Sequence, residues 1–102
     1  MSVYSASKAA VEALTRVMAA EFGPKYGVNV TAVNPGPVAT DMYLSAPEDL
    51  RKGMEDTIKN VPAEGRMGTP EDVADIVGFL ASEESRWVSG NVVTANGGFL
   101  MM

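Results

Sequence analysis

Tyr4 and Lys8 stand four residues apart in Tyr4-Ser5-Ala6-Ser7-Lys8, at the head of an alanine-rich stretch. On a helix that spacing places both on one face with Cβ atoms roughly 5–6 Å apart, so the lysine charge can favour the phenolate form of the tyrosine. The pair is an acid/base device. Free tyrosine titrates near pH ~10, so proton transfer near neutrality asks for roughly 4 kcal/mol of phenolate stabilisation. One ammonium rarely supplies all of it. A further cation and a second hydrogen-bond donor normally help, and only three residues precede Tyr4 in which to hold them. The chain contains no His and no Cys. That removes the commonest general base and metal ligand, thiol catalysis, disulfides and cysteine metal sites. Tyr, Lys and carboxylates are left for acid/base work, and no metal site is expected.

The elements that position this pair follow from periodicity. From Ser2 to Phe22, apolar and small residues including Ala6, Ala9, Ala13, Leu14, Val17 and Met18 recur at helical spacing. They predict a long first helix, buried on more than one face, ended by Gly23, Pro24 and Gly27. Val28, Val30, Ala32 and Val33 predict a buried strand, stopped at Asn34-Pro35-Gly36-Pro37 because two prolines forbid further ladder bonds. Ser45 and Glu48 have capping-box spacing, and Leu50, Met54, Ile58 and Val61 trace one stripe, which together predict a second helix. Thr69-Pro70-Glu71-Asp72 is a stronger start signal: a capping Thr, Pro at the first helical position and acids in the positive first turn. The third helix it opens should bury Val73, Ile76, Val77 and Leu80. Asn91 to Ala95 reads as a second strand, stopped by Gly97 and Gly98. Asp41 reads as an exposed loop carboxylate, and Arg66 is open between a carboxylate pair and a solvated charge. Trp87, the methionines and the terminal run Phe99-Leu100-Met101-Met102 are expected to pack in a core or an interface.

At 102 residues, 46% hydrophobic and 21% charged, the composition is that of one globular domain spanning 1–102. The formal charge of -5, with scattered Lys and Arg, argues against a nucleic-acid partner. No apolar run approaches ~18 residues and the N-terminus lacks signal-peptide order, so no membrane association is expected and the expected compartment is cytoplasmic. The order helix, strand, helix, helix, strand suggests an α/β fold with a parallel pair joined by a right-handed crossover. Two strands make a poor sheet. The first should expose an edge that wants a neighbour, so the chain reads as part of a larger, incomplete sheet.

Four ordered blocks resemble the C-terminal half of short-chain dehydrogenase/reductases, the Rossmann-type oxidoreductases that use NAD or NADP. They are Tyr4-Ser5-Ala6-Ser7-Lys8, similar to the family's Tyr-x-x-x-Lys motif; Val30 to Thr40 with Asn34-Pro35-Gly36-Pro37; Arg66-Met67-Gly68-Thr69-Pro70-Glu71-Asp72; and Val88-Ser89-Gly90 through Gly97-Gly98. The resemblance covers nearly the whole chain. It implies the C-terminal part of a doubly wound parallel sheet. It implies that Tyr4 exchanges a proton with a carbonyl or alcohol oxygen while hydride moves to or from nicotinamide. Lys8 is then expected to assist Tyr4 and hold the nicotinamide ribose. Tyr4, Lys8, Pro35, Gly36, Val38 and Thr40 would contact the cofactor, with Val38 offering main-chain groups, and Met42 to Val61 would cover a small carbonyl or alcohol substrate.

The resemblance also implies parts that these residues do not contain. A glycine-rich turn opening a helix holds the pyrophosphate in this family, and no such turn occurs here. The family's catalytic Ser would align before Met1, and its helix Asn is missing. The expectation is therefore an NAD(P)-dependent oxidoreductase by lineage, truncated, with the 102 residues alone catalytically incompetent and not expected to bind the cofactor. The alternative is a noncatalytic interaction module. In the family the first long helix contributes to a subunit interface, so a homo-oligomer is expected either way.

Overall fold

The structure is a computed structural model and describes residues 1–101; Met102, the last residue of the expected apolar run, lies outside them. The elements are α1 (Ser2–Tyr26), β1 (Ala32–Pro35), α2 (Asp41–Leu44), α3 (Glu48–Lys59), α4 (Pro70–Leu80), a 3-10 turn (Glu83–Ser85) and β2 (Val92–Ala95). The anticipated order is present, with α2 and the 3-10 turn added. The chain divides into two compact units, one of Met1–Val33 and Gly78–Val93, the other of Asn34–Val77 and the residues from Thr94 onward.

In the first unit, α1 runs past the expected Phe22 with Pro24 inside its last turn. Pro24 lacks the N–H that would reach Ala20, but near a helix end that removes one bond without breaking the helix. Gly27 makes the stop: at φ 65° and ψ 36° it is left-handed, and its N–H donates to Gly23 O at 2.8 Å. Such a cap suits a residue without Cβ. Burial of α1 on more than one face is not found; Thr15 is its one buried residue, its hydroxyl donating to Val11 O at 2.8 Å. Residues 29–31 are tied to 86–90 by Asn29 Nδ2 to Arg86 O, Val30 N to Ser89 Oγ and Gly90 N to Val30 O. Ser85 is buried, its hydroxyl within 2.8 Å of Leu80 O and 3.0 Å of Ser82 O. Trp87, expected to pack, is 97% exposed.

β1 and β2 form a two-stranded sheet. Ala32 N donates to Asn91 O and, four residues on, Gly36 N donates to Ala95 O, so the strands run parallel. β1 sits further along than expected and includes Pro35. The ladder explains this. Residues 32 and 36 face β2, so Pro35 is in the alternate phase, where its missing N–H costs no bond to β2.

In the second unit, Thr40 caps α2, its Oγ1 accepting from Tyr43 N at 3.4 Å. The capping box expected at Ser45 is not formed. Pro47 occupies the N-cap of α3 with no side-chain bond, and Ser45 Oγ instead donates to Met42 O at 3.0 Å. The α4 start is as anticipated: Asp72 N donates to Thr69 Oγ1 at 3.2 Å and Thr69 N to Asp72 Oδ2 at 2.7 Å. Val61 is the one buried apolar residue among those described, while Leu50, Val77, Phe99, Leu100 and Met101 are exposed. A stripe is buried only where another element lies on it, and spacing alone does not supply that element.

Candidate functional site

Tyr4 and Lys8 lie in the first turns of α1, where the i, i+4 spacing does bring them together. Lys8 Nζ is 5.4 Å from the centroid of the Tyr4 ring, within reach of a cation–π contact. Tyr4 is 59% exposed. Its main-chain carbonyl accepts from Ser7 Oγ at 2.7 Å. Among the described residues its hydroxyl has no hydrogen-bond partner. The phenol can therefore exchange a proton with an incoming oxygen without first breaking a bond.

The other four anticipated residues, Pro35, Gly36, Val38 and Thr40, belong to the second unit and line one open groove of about 620 Å³. Met42, Tyr43, Ala46, Pro70 and Val73 complete its wall. No Asp, Glu, Lys or Arg lines it. Val38 forms an isolated parallel bridge with Gly68: Gly68 N donates to Pro37 O at 3.0 Å, and Ala39 N donates to Gly68 O at 2.9 Å. Val38 O accepts from Thr40 N at 2.8 Å, and Val38 N–H has no backbone partner among the described residues. A free main-chain donor beside an uncharged groove fits the carboxamide and ring of a nicotinamide. Gly36 has an additional reason to be glycine. A Cβ there would meet Asn96 Cβ at 2.7 Å and Asn96 Cα at 3.1 Å.

One cluster beside this turn exceeds what its spacing suggests. Arg66 Nε donates to Glu64 Oε2 at 2.7 Å, and its Nη1 and Nη2 donate to Asp72 at 2.7 and 3.4 Å. The open reading of Arg66 thus resolves to a double carboxylate pair. Hydrogen bonding to Arg66, then the N–H of Thr69, holds the Asp72 carboxyl well below the usual carboxylate range. The Arg66 guanidinium is pushed up by its bonds to Asp72 and then Glu64. Thr69-x-x-Asp72 announces the cap in the sequence, whereas the reach of Arg66 across six residues to Asp72 has no local spacing signal. Arg66 and Asp72 border a second cavity, of about 260 Å³, with Pro37, Val61, Gly68 and Asn96.

The parallel strand pair with its helices defines part of a Rossmann-type α/β protein. The family described as enoyl-(acyl carrier protein) reductase matches residues 1–100. The chain is 48% identical over 102 residues to the short-chain dehydrogenase/reductase FrzI of a Cladobotryum species, covering 97% of this chain and 40% of that protein. It is 43% identical over 99 residues to the chloroplastic NADPH-dependent aldehyde reductase 2 of Arabidopsis thaliana, covering 96% and 35%. A solved 3-oxoacyl-[acyl-carrier protein] reductase from Brucella melitensis superposes with a TM-score of 0.81 at 34% identity, covering 97% of this chain and 35% of that one. The chain belongs to the short-chain dehydrogenase/reductase family. It spans about two fifths or less of the length of these relatives.

Proposed function

We propose that these residues supply the proton-handling and nicotinamide-facing parts of an NAD(P)-dependent oxidoreductase that interconverts a carbonyl and an alcohol. The observation that carries this reading is the unpartnered Tyr4 hydroxyl with Lys8 Nζ over the same ring. Tyr4 gives its phenolic proton to a carbonyl oxygen in reduction and takes the hydroxyl proton in oxidation. Lys8 places its side-chain nitrogen beside the phenol ring, 5.4 Å from its centroid. Val38 N–H, with Pro35, Gly36 and Thr40 around it, holds the nicotinamide carboxamide. A bound nicotinamide supplies or accepts the hydride. The groove wall of Met42, Tyr43, Ala46 and Val73 favours an uncharged, apolar carbonyl compound over a carboxylate or phosphate, because a charge placed there finds no counter-charge.

The 102 residues alone are catalytically incompetent on this reading, since no glycine-rich turn among them can hold a pyrophosphate. Purified chain at micromolar concentration should give no saturable NADH or NADPH fluorescence change, and clear saturation would refute that. Fusing the chain behind the N-terminal part of the Arabidopsis thaliana aldehyde reductase tests the chemistry itself. The fusion should turn over an apolar aldehyde, and Tyr4→Phe should lower turnover at least about 100-fold; a Tyr4→Phe fusion with undiminished rate would end the proposal.

A noncatalytic association module is the second reading, favoured by α1. Val11, Leu14 and Val17 recur every three residues and are each at least half exposed. Such a row is suited to packing against a second copy. Sedimentation at low micromolar concentration should show a dimer or larger species, and Leu14→Glu should shift it toward monomer.

A further inference from the structure

The bridge between Val38 and Gly68 is held in place from behind. Gly68 lies between two peptide planes, Met67–Gly68 and Gly68–Thr69. The C=O of the first, on Met67, accepts from Arg66 Nη1 at 2.8 Å. The N–H of the second, on Thr69, donates to Asp72 Oδ2 at 2.7 Å, the same oxygen that receives Arg66 Nη1. Arg66 and Asp72 therefore grip one end of each plane. No cis peptide bond occurs among the described residues, and in a planar trans peptide the N–H and C=O point in opposite directions. Gripping Met67 C=O therefore aims Gly68 N–H, and gripping Thr69 N–H aims Gly68 C=O. Those two groups are the ones that bond Pro37 O and Ala39 N.

The same geometry repeats across the bridge. Pro37 C=O shares its plane with Val38 N–H, and Ala39 N–H shares its plane with Val38 C=O. Fixing Pro37 O and Ala39 N therefore fixes both main-chain groups of Val38. Gly68, having no Cβ, would otherwise let the two planes turn freely about its soft φ and ψ. A guanidinium suits the task because one rigid fork can hold Glu64, Asp72 and Met67 O together, which a single lysine ammonium at the end of a flexible stem does not reproduce.

We propose that Arg66, acting with Asp72 through Gly68, is a positioning residue for the cofactor turn and sets the direction of the Val38 main-chain N–H and C=O. The proposal rests on the nicotinamide reading of that turn. It deepens that reading by naming a side chain that touches neither substrate nor cofactor yet determines how the turn presents its donor and acceptor.

The test is nuclear magnetic resonance on the isotope-labelled chain, with wild type, Arg66→Met and Arg66→Lys compared. Across-hydrogen-bond couplings from Gly68 N to Pro37 C′ and from Ala39 N to Gly68 C′ report the bridge directly. In Arg66→Met both couplings should vanish, and exchange of the Gly68 and Ala39 amides should accelerate at least tenfold. The Gly36 amide, bonded to Ala95 O, should stay within twofold. Arg66→Lys keeps the charge without the fork, should lose most of the same protection, and decides the matter if Arg66→Met fails to fold. Retained couplings in the folded variants overturn the proposal. So does acceleration of Gly36 and the α1 amides in equal proportion, which would mean general loosening. NADPH added to the isotope-labelled fusion, which joins an N-terminal part to this chain, is the separate probe of the turn. It should shift the Val38 amide in the wild-type fusion and bind at least threefold more weakly to the Arg66→Lys fusion. Intact wild-type couplings with no Val38 shift would remove the nicotinamide reading, and the positioning role with it, while leaving the bridge itself established.

Discussion

Gly36 and Asn96 stand so close that a methyl group on Gly36 would lie 2.7 Å from Asn96 Cβ and 3.1 Å from Asn96 Cα. The first contact is below any ordinary carbon–carbon separation, and one of the two atoms is backbone, so no rotamer change relieves it. The glycine of the turn is therefore demanded by the fold before any cofactor is considered. Gly36→Ala should destabilise the chain by about 1–3 kcal/mol, the usual cost of overpacking. Urea unfolding followed by circular dichroism measures it; an unchanged midpoint would show that the two segments can separate without cost.

Thr69 and Asp72 cap each other at the start of α4. Thr69→Ala removes one of the two acceptors of Asp72 N–H, which also donates to Thr69 O at 3.1 Å, while leaving the Asp72 bond to Thr69 N–H. The expected loss is about 1 kcal/mol, as for other helix caps. Thr69→Ser keeps the hydroxyl and should recover most of it in the same urea titration.

The α4 start was legible because its whole signal is local: a hydroxyl, a proline and two acids within four residues. Ser45 and Glu48 offered similar spacing and misled. Pro47 between them is extended, at φ -53° and ψ 141°, and takes the N-cap position itself. An extended run ahead of the prolines was legible from Val28, but β1 itself begins only at Ala32, and neither that onset nor its register could be read. Pairing depends on where Asn91 and Ala95 arrive from nearly sixty residues away, and the phase that tolerates Pro35 is set by that partner. Tyr4 and Lys8 could be paired from an i, i+4 rule alone. Val38, Gly68, Arg66 and Asp72 could not, because a parallel bridge between residues thirty apart leaves no periodicity to read.

Asp72 makes acid stability diagnostic. Its folded-state carboxyl titrates below the ordinary carboxylate range, first because of Arg66. A carboxyl lowered on folding contributes stability that is fully present above its unfolded value, near pH ~4, and is lost as pH falls toward the folded one. Wild type should therefore melt higher than Asp72→Asn at pH 6–7, and the gap should narrow progressively below pH ~4. Melting temperatures between pH 7 and pH 2.5 give the comparison. A gap that stays constant down to pH 3 would mean that Asp72 acts through shape and not through its charge.

Tyr4 and Lys8 separate stability from chemistry in a way that few buried site residues allow. The Tyr4 hydroxyl bonds to nothing among the described residues, and the side chain is exposed, so Tyr4→Phe keeps the ring under Lys8 and deletes only the hydroxyl that carries the exchangeable proton. Unfolding free energy should change by less than about 0.5 kcal/mol, as for surface substitutions elsewhere. Lys8→Met also deletes the ammonium over the ring, an exposed contact worth about 0.5–1 kcal/mol, and should cost no more than that. In the fusion that supplies an N-terminal part, the same changes should diverge sharply from these small effects. Tyr4→Phe should lower turnover by at least about 100-fold, the lower end of what a positioned general acid contributes. Lys8→Met should lower turnover too, while leaving the melting temperature nearly unchanged. If instead both variants lose stability and turnover in proportion, the pair serves the fold of α1, and the acid/base role passes to another group.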